Sequence, residues 1–387
     1  MPCDLDQYID RQSTDSVKWS AYDSDVLPLW VADMDFPAPE PVIRALRERV
    51  DHGIFGYAMA PEGLREVFQE RLTRLYGWQV EKEAILFTPG VVSAFHVACR
   101  AVGRPGDGVL VEPPVYPPML SAPSASERTC QLVSLVEHDG LYTRDLEAFS
   151  GAITPRTALF LLCSPHNPVG RVFRRDELEA VAEICLRHNV FICSDEIHCD
   201  LVLEGHPHLP IASLSPEVAA RTITLFAPSK TFNIPGMGCS VAVIPDPELR
   251  AAFTKTAAGI VPHVNVLGYV AALAAYRDGQ AWLDKVLDYL EANCDVLLDY
   301  LAAQLPALRC QRPEGTYLAW IDCRETGLSQ NPQTFFLKEA RVALSDGVLF
   351  GPGGEGFVRL NFACPRTILI EALERMHRAL RSNIPKI

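Results

Sequence analysis

The chain has 387 residues, of which 48% are hydrophobic and 21% charged, and a formal net charge of −13 at pH 7. Such a composition describes a globular chain, long enough for two closely joined domains, and not a disordered one. The acidic balance excludes nucleic acid as a partner, because no basic field is there to displace phosphate counterions.

From Met1 to Asp6 no basic segment leads into an apolar one. No run approaches the ~20 apolar residues that a membrane span needs. Neither a secretory signal nor a membrane partner is expected. The twelve cysteines are scattered and several fall inside apolar runs. They read as small buried hydrophobes of a reducing cytoplasm.

Up to about Pro39 the chain is irregular, and it carries the strip Leu27-Pro-Leu-Trp-Val-Ala-Asp-Met-Asp-Phe36. A helix is expected from Pro41, with Val42, Ile43, Leu46 and Val50 on one face, and a second over Glu62–Tyr76. Apolar strands follow at Ala84–Thr88, Gly108–Val111, Ala158–Cys163, Val190–Ser194, Ile223–Phe226 and Ser240–Ile244. Helical periodicity lies between several of them, at Val91–Ala101 and Asp176–His188. Near-continuous apolar strands alternating with helices predict a mostly parallel sheet covered on both faces. Beyond about residue 260 the pattern changes. Helices at Asn265–Arg277 and Ala281–Gln304 lead to short strands at Thr316–Ile321, Gly347–Phe350 and Phe357–Phe362, with helices at Gln333–Val342 and Arg366–Leu380. The expected fold is α/β, with a smaller α+β C-terminal domain. Residues 1–45 are expected to pack with the small domain, 46–280 to form the large one, and 281–387 the small one.

Lys230 lies in Phe226-Ala-Pro-Ser-Lys-Thr-Phe-Asn-Ile-Pro-Gly236, between an apolar strand and a turn rich in Pro and Gly. Most lysines are solvated surface charges. This one has no amphipathic helix to give it a wet face, and it follows a strand end, where open α/β sheets bind ligands. A lysine in such a cleft can lose its proton and form a Schiff base. Asp195 ends another apolar strand and belongs at the same sheet edge, beside Lys230 if the two strands are neighbours. A carboxylate there can hold a proton on a pyridine nitrogen; a helix N-cap is the competing role. In Thr88-Pro-Gly-Val-Val-Ser-Ala94 the free N–H groups of Gly90, Val91 and Val92 open a helix and offer a seat for phosphate. Asn167 is presented by the loop Cys163-Ser-Pro-His-Asn-Pro-Val-Gly170, although Asn before Pro is also an ordinary turn former. Arg359 alternates with apolar neighbours, which suits either a bidentate grip on a carboxylate or a buried structural ion pair.

Three patterns are set aside. Gly351-Pro-Gly-Gly-Glu-Gly356 has the G-x-G-x-x-G spelling, but a strand follows it where a phosphate-binding helix is needed, so it reads as a turn between strands. Cys193, His198, Cys199, His206 and His208 crowd together without metal-ligand spacing, so no metal is expected. No G-x-S-x-G elbow is present.

Together these motifs resemble the fold type I pyridoxal-phosphate enzymes of the class I and II aminotransferase family. Within it they are most similar to the cystathionine beta-lyase or C–S lyase subgroup, which includes a modulator of maltose gene expression. The resemblance rests on the Leu29–Phe36 strip, Phe55-Gly-Tyr57, Pro113-Pro-Val-Tyr-Pro-Pro118, Cys163–Arg171, Ser194-Asp-Glu-Ile-His-Cys-Asp-Leu201, Ser229–Gly236 and Phe357-Val-Arg-Leu-Asn361. It implies pyridoxal 5'-phosphate as cofactor, carried by Lys230, with Asp195 on the ring nitrogen and Tyr116 stacked on the ring. Asn167 is implied at the ring's 3-oxygen, Gly90, Val91, Val92 and Ser229 at the phosphate, and Arg359 at the substrate's α-carboxylate. Tyr57 is implied to reach the cofactor of a neighbouring subunit, hence a homodimer with shared sites. Two positions depart from the common aminotransferase pattern. His198 replaces a tyrosine three places after the aspartate, as in the lyase-like subgroup, and Gly238 replaces a phosphate-gripping arginine eight places after the lysine; Ala227 likewise replaces a serine. The resemblance implies β-elimination of a thiol from cystathionine or another cysteine S-conjugate. Amino-acid transamination, and a regulatory or binding role on the same fold, are the alternatives.

Overall fold

In the computed structural model residues 4–383 are described; Met1 to Cys3, where the reading for a secretory signal begins, lie outside the described residues, as do residues 384–387. The central sheet has seven strands, in the order Ile85–Thr88, Ser240–Val243, Thr222–Phe226, Phe191–Asp195, Thr157–Cys163, Gly108–Val111 and Thr129–Leu132. Ser240–Val243 runs antiparallel to both neighbours, and every other pairing is parallel.

The apolar runs are continuous because both faces are covered, and successive side chains serve opposite faces. Leu159, Leu161 and Cys163 pack with Phe95 and Val97 of the Val91–Ala101 helix. Phe160 and Leu162, from the same strand, pack with Leu178 and Val181 of the Arg175–Arg187 helix. Register places Cys163 beside Asp195 and Asp195 beside Leu225, so the strands before the two candidate site residues end at one edge of the sheet. Thr129–Leu132 escapes the sequence reading because it is a half-exposed edge strand with a polar centre, and short polar edges carry little apolar signal.

A four-stranded antiparallel sheet forms the C-terminal part, in the order Arg309–Cys310, Leu318–Asp322, Phe357–Asn361 and Ser345–Asp346. Arg359 is flanked in register by Trp320 on one side and Ser345 on the other. The opening segment is tied to this part of the molecule by the parallel pairing of Leu27–Pro28 with Val342–Ala343.

Two expected elements are corrected. Gly347–Phe350 is a 3₁₀ helix, not a strand. Asp346 caps it through a hydrogen bond from Val348 N (3.1 Å), and the Gly347 backbone is so close to Gly354 that a Cβ would lie 2.1 Å from the Gly354 carbonyl oxygen. A strand partner has no room there, and Ser345–Asp346 takes the pairing. The helix expected over Gln333–Val342 is one α-turn, Pro332–Phe335, continued by a π-helical turn over Phe336–Ala340. It stops at Arg341, whose φ of 54° is left-handed, and Val342 is already in a strand.

Candidate active site

Lys230 is carried by a single helical turn, Pro228–Thr231, directly after the Thr222–Phe226 strand. Proline at the first helical position costs no hydrogen bond, and the turn aims the lysine back over the strand ends. Its Nζ donates to the Ala32 carbonyl at 2.5 Å. Burial lowers the amine to about 8, with the Arg359 cation adding to the effect and Asp33 and Asp195 opposing it. Asp195 ends the adjacent strand. Among the described residues its carboxyl accepts one hydrogen bond, from Ile197 N at 3.1 Å. Burial raises it to about 7. An amine and a carboxyl, both driven towards neutrality by desolvation, thus face one cavity, a recurrent property of acid–base sites.

The cavity brings together most of the residues singled out above. Gly90, Val91 and Val92 line one end, at the N-terminus of the Val91–Ala101 helix, and Tyr116, Asn167, His198 and Ser229 line the rest with Asp195 and Lys230. His198 is buried and lies edge-on to Tyr317, with ring centroids 6.1 Å apart. Burial, then Lys230 and Arg359, press its imidazole down to about 3, so it is neutral at physiological pH. Gly238 also lines the cavity in a left-handed conformation (φ 58°). A side chain at that position is strained, in keeping with the absence of the arginine found in many aminotransferases. Among the described residues Lys230 is the one cation lining this cavity.

Arg359 adjoins it from the C-terminal sheet. Its Nη1 donates to Asn167 Oδ1 (2.9 Å), and its Nη2 to the Trp30 carbonyl (2.8 Å) and Ser345 Oγ (3.1 Å). The guanidinium lies 5.0 Å from the Phe350 ring centroid. Burial lowers it to about 10, so it remains cationic at neutral pH. These hydrogen-bond partners are all neutral. Among the described residues the expectation of a structural ion pair is therefore unmet, and a buried cation without a counter-ion there calls for an anionic ligand.

Tyr57 is not brought to the cavity of its own chain. It is fully exposed, in a segment that also exposes Ile54, Phe55 and Met59. Sequence reasoning missed three contributors. Ala32 supplies a main-chain oxygen, for which no side chain gives a signal. Tyr317 reads as an ordinary apolar strand residue, yet its hydroxyl donates to that same oxygen at 2.8 Å. Asn361 was visible only as part of a motif.

The donor set fits pyridoxal phosphate. A buried carboxyl without a cationic side-chain partner suits a protonated ring nitrogen, an amine near neutrality suits an aldehyde, and the open helix N-terminus suits a phosphate.

The model of the family "Aminotransferase class I and II" matches residues 24–376. The chain is 41% identical to the cystathionine beta-lyase PatB of Bacillus subtilis over 384 residues, covering 97% of this chain and 99% of that protein. Among solved structures, OvoB superposes with a TM-score of 0.94 at 46% identity, covering 98% of this chain and 100% of that one. Cystalysin of Treponema denticola, which contains pyridoxal 5'-phosphate, superposes with a TM-score of 0.96 at 35% identity over 99% of this chain and 100% of that one.

Proposed function

The chain belongs to the class I and II aminotransferase family, and from that premise we propose that it is a pyridoxal-phosphate-dependent carbon–sulfur β-lyase. Its substrates are L-cystathionine or related cysteine S-conjugates, and its products a thiol, pyruvate and ammonia. The observation that carries this reading is the pairing of a half-buried amine, lowered to about 8 by desolvation, with a buried cation that has no counter-ion among the described residues. A base for the α-proton and an anchor for the α-carboxylate then flank a single amino acid. The kinship with PatB, a cystathionine beta-lyase, supports elimination over transamination, as does His198 where many aminotransferases have tyrosine.

When bound, the cofactor supplies an electron sink for the pair left on the substrate's α-carbon. Lys230 removes the α-proton, which its lowered basicity permits near neutral pH. Asp195 would hold a proton at the ring nitrogen, and Tyr116 and Asn167, which line the same cavity, would hold the ring. The N–H groups of Gly90, Val91 and Val92, with the Ser229 hydroxyl, hold the phosphate. Arg359 orients the carboxylate, so that the carbon–sulfur bond is positioned to break as the thiolate leaves.

The reading extends to a homodimer in which Tyr57 completes the neighbouring subunit's phosphate seat, supported by the exposed apolar run around it. A cytoplasmic setting goes with it, supported by free and mostly buried cysteines among the described residues. Among those residues no helix is long and apolar enough to cross a membrane.

Incubation with cystathionine and no keto-acid acceptor is expected to release pyruvate and ammonia in equal amounts. A requirement for 2-oxoglutarate would sink the lyase assignment. Lys230→Ala is expected to abolish both the reaction and the visible absorbance of the bound cofactor.

A further inference from the structure

Side chains from other parts of the chain take each of the five successive carbonyls of the strip Trp30–Met34. Trp30 O accepts from Arg359 Nη2 and Ser345 Oγ, both at 2.8 Å. Val31 O and Asp33 O each accept from Asn361 Nδ2 at 2.6 Å. Ala32 O, between them, accepts from Lys230 Nζ at 2.5 Å and Tyr317 Oη at 2.8 Å. Asp33 O also accepts from Lys18 Nζ at 3.2 Å. Met34 O accepts from Asn233 Nδ2 at 2.9 Å and Arg11 Nη1 at 3.2 Å. Asn361 is fully buried, and its Oδ1 is held by Ala363 N at 2.8 Å, so its amide cannot turn without losing a bond.

We propose that this strip is a carbonyl platform on which the Lys230 ammonium rests whenever the lysine is free, and that Asn361 is the positioning residue that aims it. Gripping the carbonyls on either side of Ala32 fixes the one between them on the lysine. The proposal rests on the lyase reading and deepens it. A lysine acting as base becomes a buried ammonium, and a buried ammonium needs an acceptor that stays in place while substrate occupies the cavity. A main-chain oxygen meets that need without adding a negative charge, so the lysine can still give up its proton. Through Trp30 the same strip also fixes the Arg359 guanidinium, so the base and the carboxylate anchor share one rigid support.

The groups that face Lys230 are Asp33 on the strip, Asp195 at the strand end, His198 in the turn beyond it, Arg359 on the C-terminal sheet and the Tyr317 hydroxyl. Asn361→Leu leaves all of them in the chain and releases the strip, together with the Ala363 N–H. Tyr317→Phe does the reverse: it removes the competing donor and leaves the Ala32 oxygen to the ammonium alone. The two variants therefore push the lysine in opposite directions, which a general loosening of the fold cannot do.

The test is the pH dependence of Lys230 acetylation in the full-length chain after removal of the cofactor, read by peptide mass spectrometry. Asn361→Leu is expected to lower the midpoint by about one unit, the scale of one hydrogen bond to a charged group, and Tyr317→Phe to raise it. With cofactor restored, Asn361→Leu is expected to raise KM as well as lower kcat. A fall in both variants, or no shift in either, overturns the proposal. If Asn361→Leu does not fold, Tyr317→Phe decides alone, and an unchanged or lower midpoint overturns it. The lyase reading fails separately, in the pyruvate assay, since the acetylation midpoint needs neither substrate nor turnover.

Discussion

At the scale of single residues, the site is built from groups whose ordinary ionisation has been pushed aside by burial. Asp195 and Lys230 make opposite contributions to the stability of the cofactor-free chain. Asp195 is raised from 3.8 to about 7, so between those values the folded chain holds a proton that the unfolded chain has lost. Stability from this group is present at acid pH and declines as pH rises from about 4 to 7. Lys230 is lowered from 10.5 to about 8; the folded chain holds fewer protons between these values, and stability from this group returns as pH rises from about 8 to 10.5. Asp195→Asn is expected to remove the first slope and leave the second. The difference from the wild type should reach roughly 2–4 kcal/mol by pH 7, measured by urea unfolding of both cofactor-free proteins from pH 4 to 7. Arg359→Lys keeps the charge but cannot span Asn167, Trp30 and Ser345 with one planar group. Steady-state kinetics are expected to show KM for cystathionine rising roughly 10- to 100-fold with a smaller change in kcat, the loss of a bidentate grip.

At the scale of elements, the opening segment has its own polar core. Lys18, on the short Val17–Ser20 helix, is buried against Asp35 at 2.7 Å. The same carboxylate accepts from Trp19 Nε1 at 2.8 Å and Arg11 Nη1 at 2.6 Å. These bonds hold the Trp30–Phe36 strip against the opening segment. Asp35→Ala takes the nearer carboxylate from the buried Lys18 and leaves it Asp33 at 3.5 Å, and its cost in chemical denaturation is expected to be about 3 kcal/mol. Asp35→Asn, which retains an acceptor oxygen, should cost less. The apolar face of Val91–Ala101 and the runs at Thr157–Cys163 and Phe191–Asp195 were legible in the sequence because burial on both sides leaves a continuous apolar stretch. The edge strand Thr129–Leu132 and the 3₁₀ turn Gly347–Phe350 were not. The first is half-solvated, and the second is shaped by a glycine–glycine approach between residues seven positions apart.

At the scale of the whole molecule, the cavity of one chain does not include Tyr57, which the resemblance implies at the cofactor of a neighbouring subunit. Tyr57 is fully exposed, in a segment whose exposed Ile54, Phe55 and Met59 suit burial against a second copy; an exposed apolar patch of this kind is a common mark of an interface. Sedimentation is expected to give a dimer. Mixing Tyr57→Ala with Lys230→Ala chains under subunit exchange should restore activity that neither possesses alone. Hybrid dimers would contain one site with both native residues. Activity that stays at the sum of the two parents would refute shared sites.

The sequence by itself determined the chemistry available: a lysine and an aspartate at the ends of apolar strands, a helix opened by Pro-Gly, and an arginine set among apolar neighbours. Those signals survive in one dimension because periodicity and strand ends are local. The tertiary structure alone decided that Arg359 is held by neutral partners, that among the described residues no cationic side chain hydrogen-bonds Asp195, and that the Ala32 oxygen is shared by Lys230 and Tyr317. Desolvation is the sum of everything packed around a group, and a main-chain carbonyl is the same in every residue. Neither property is written at the position where it acts.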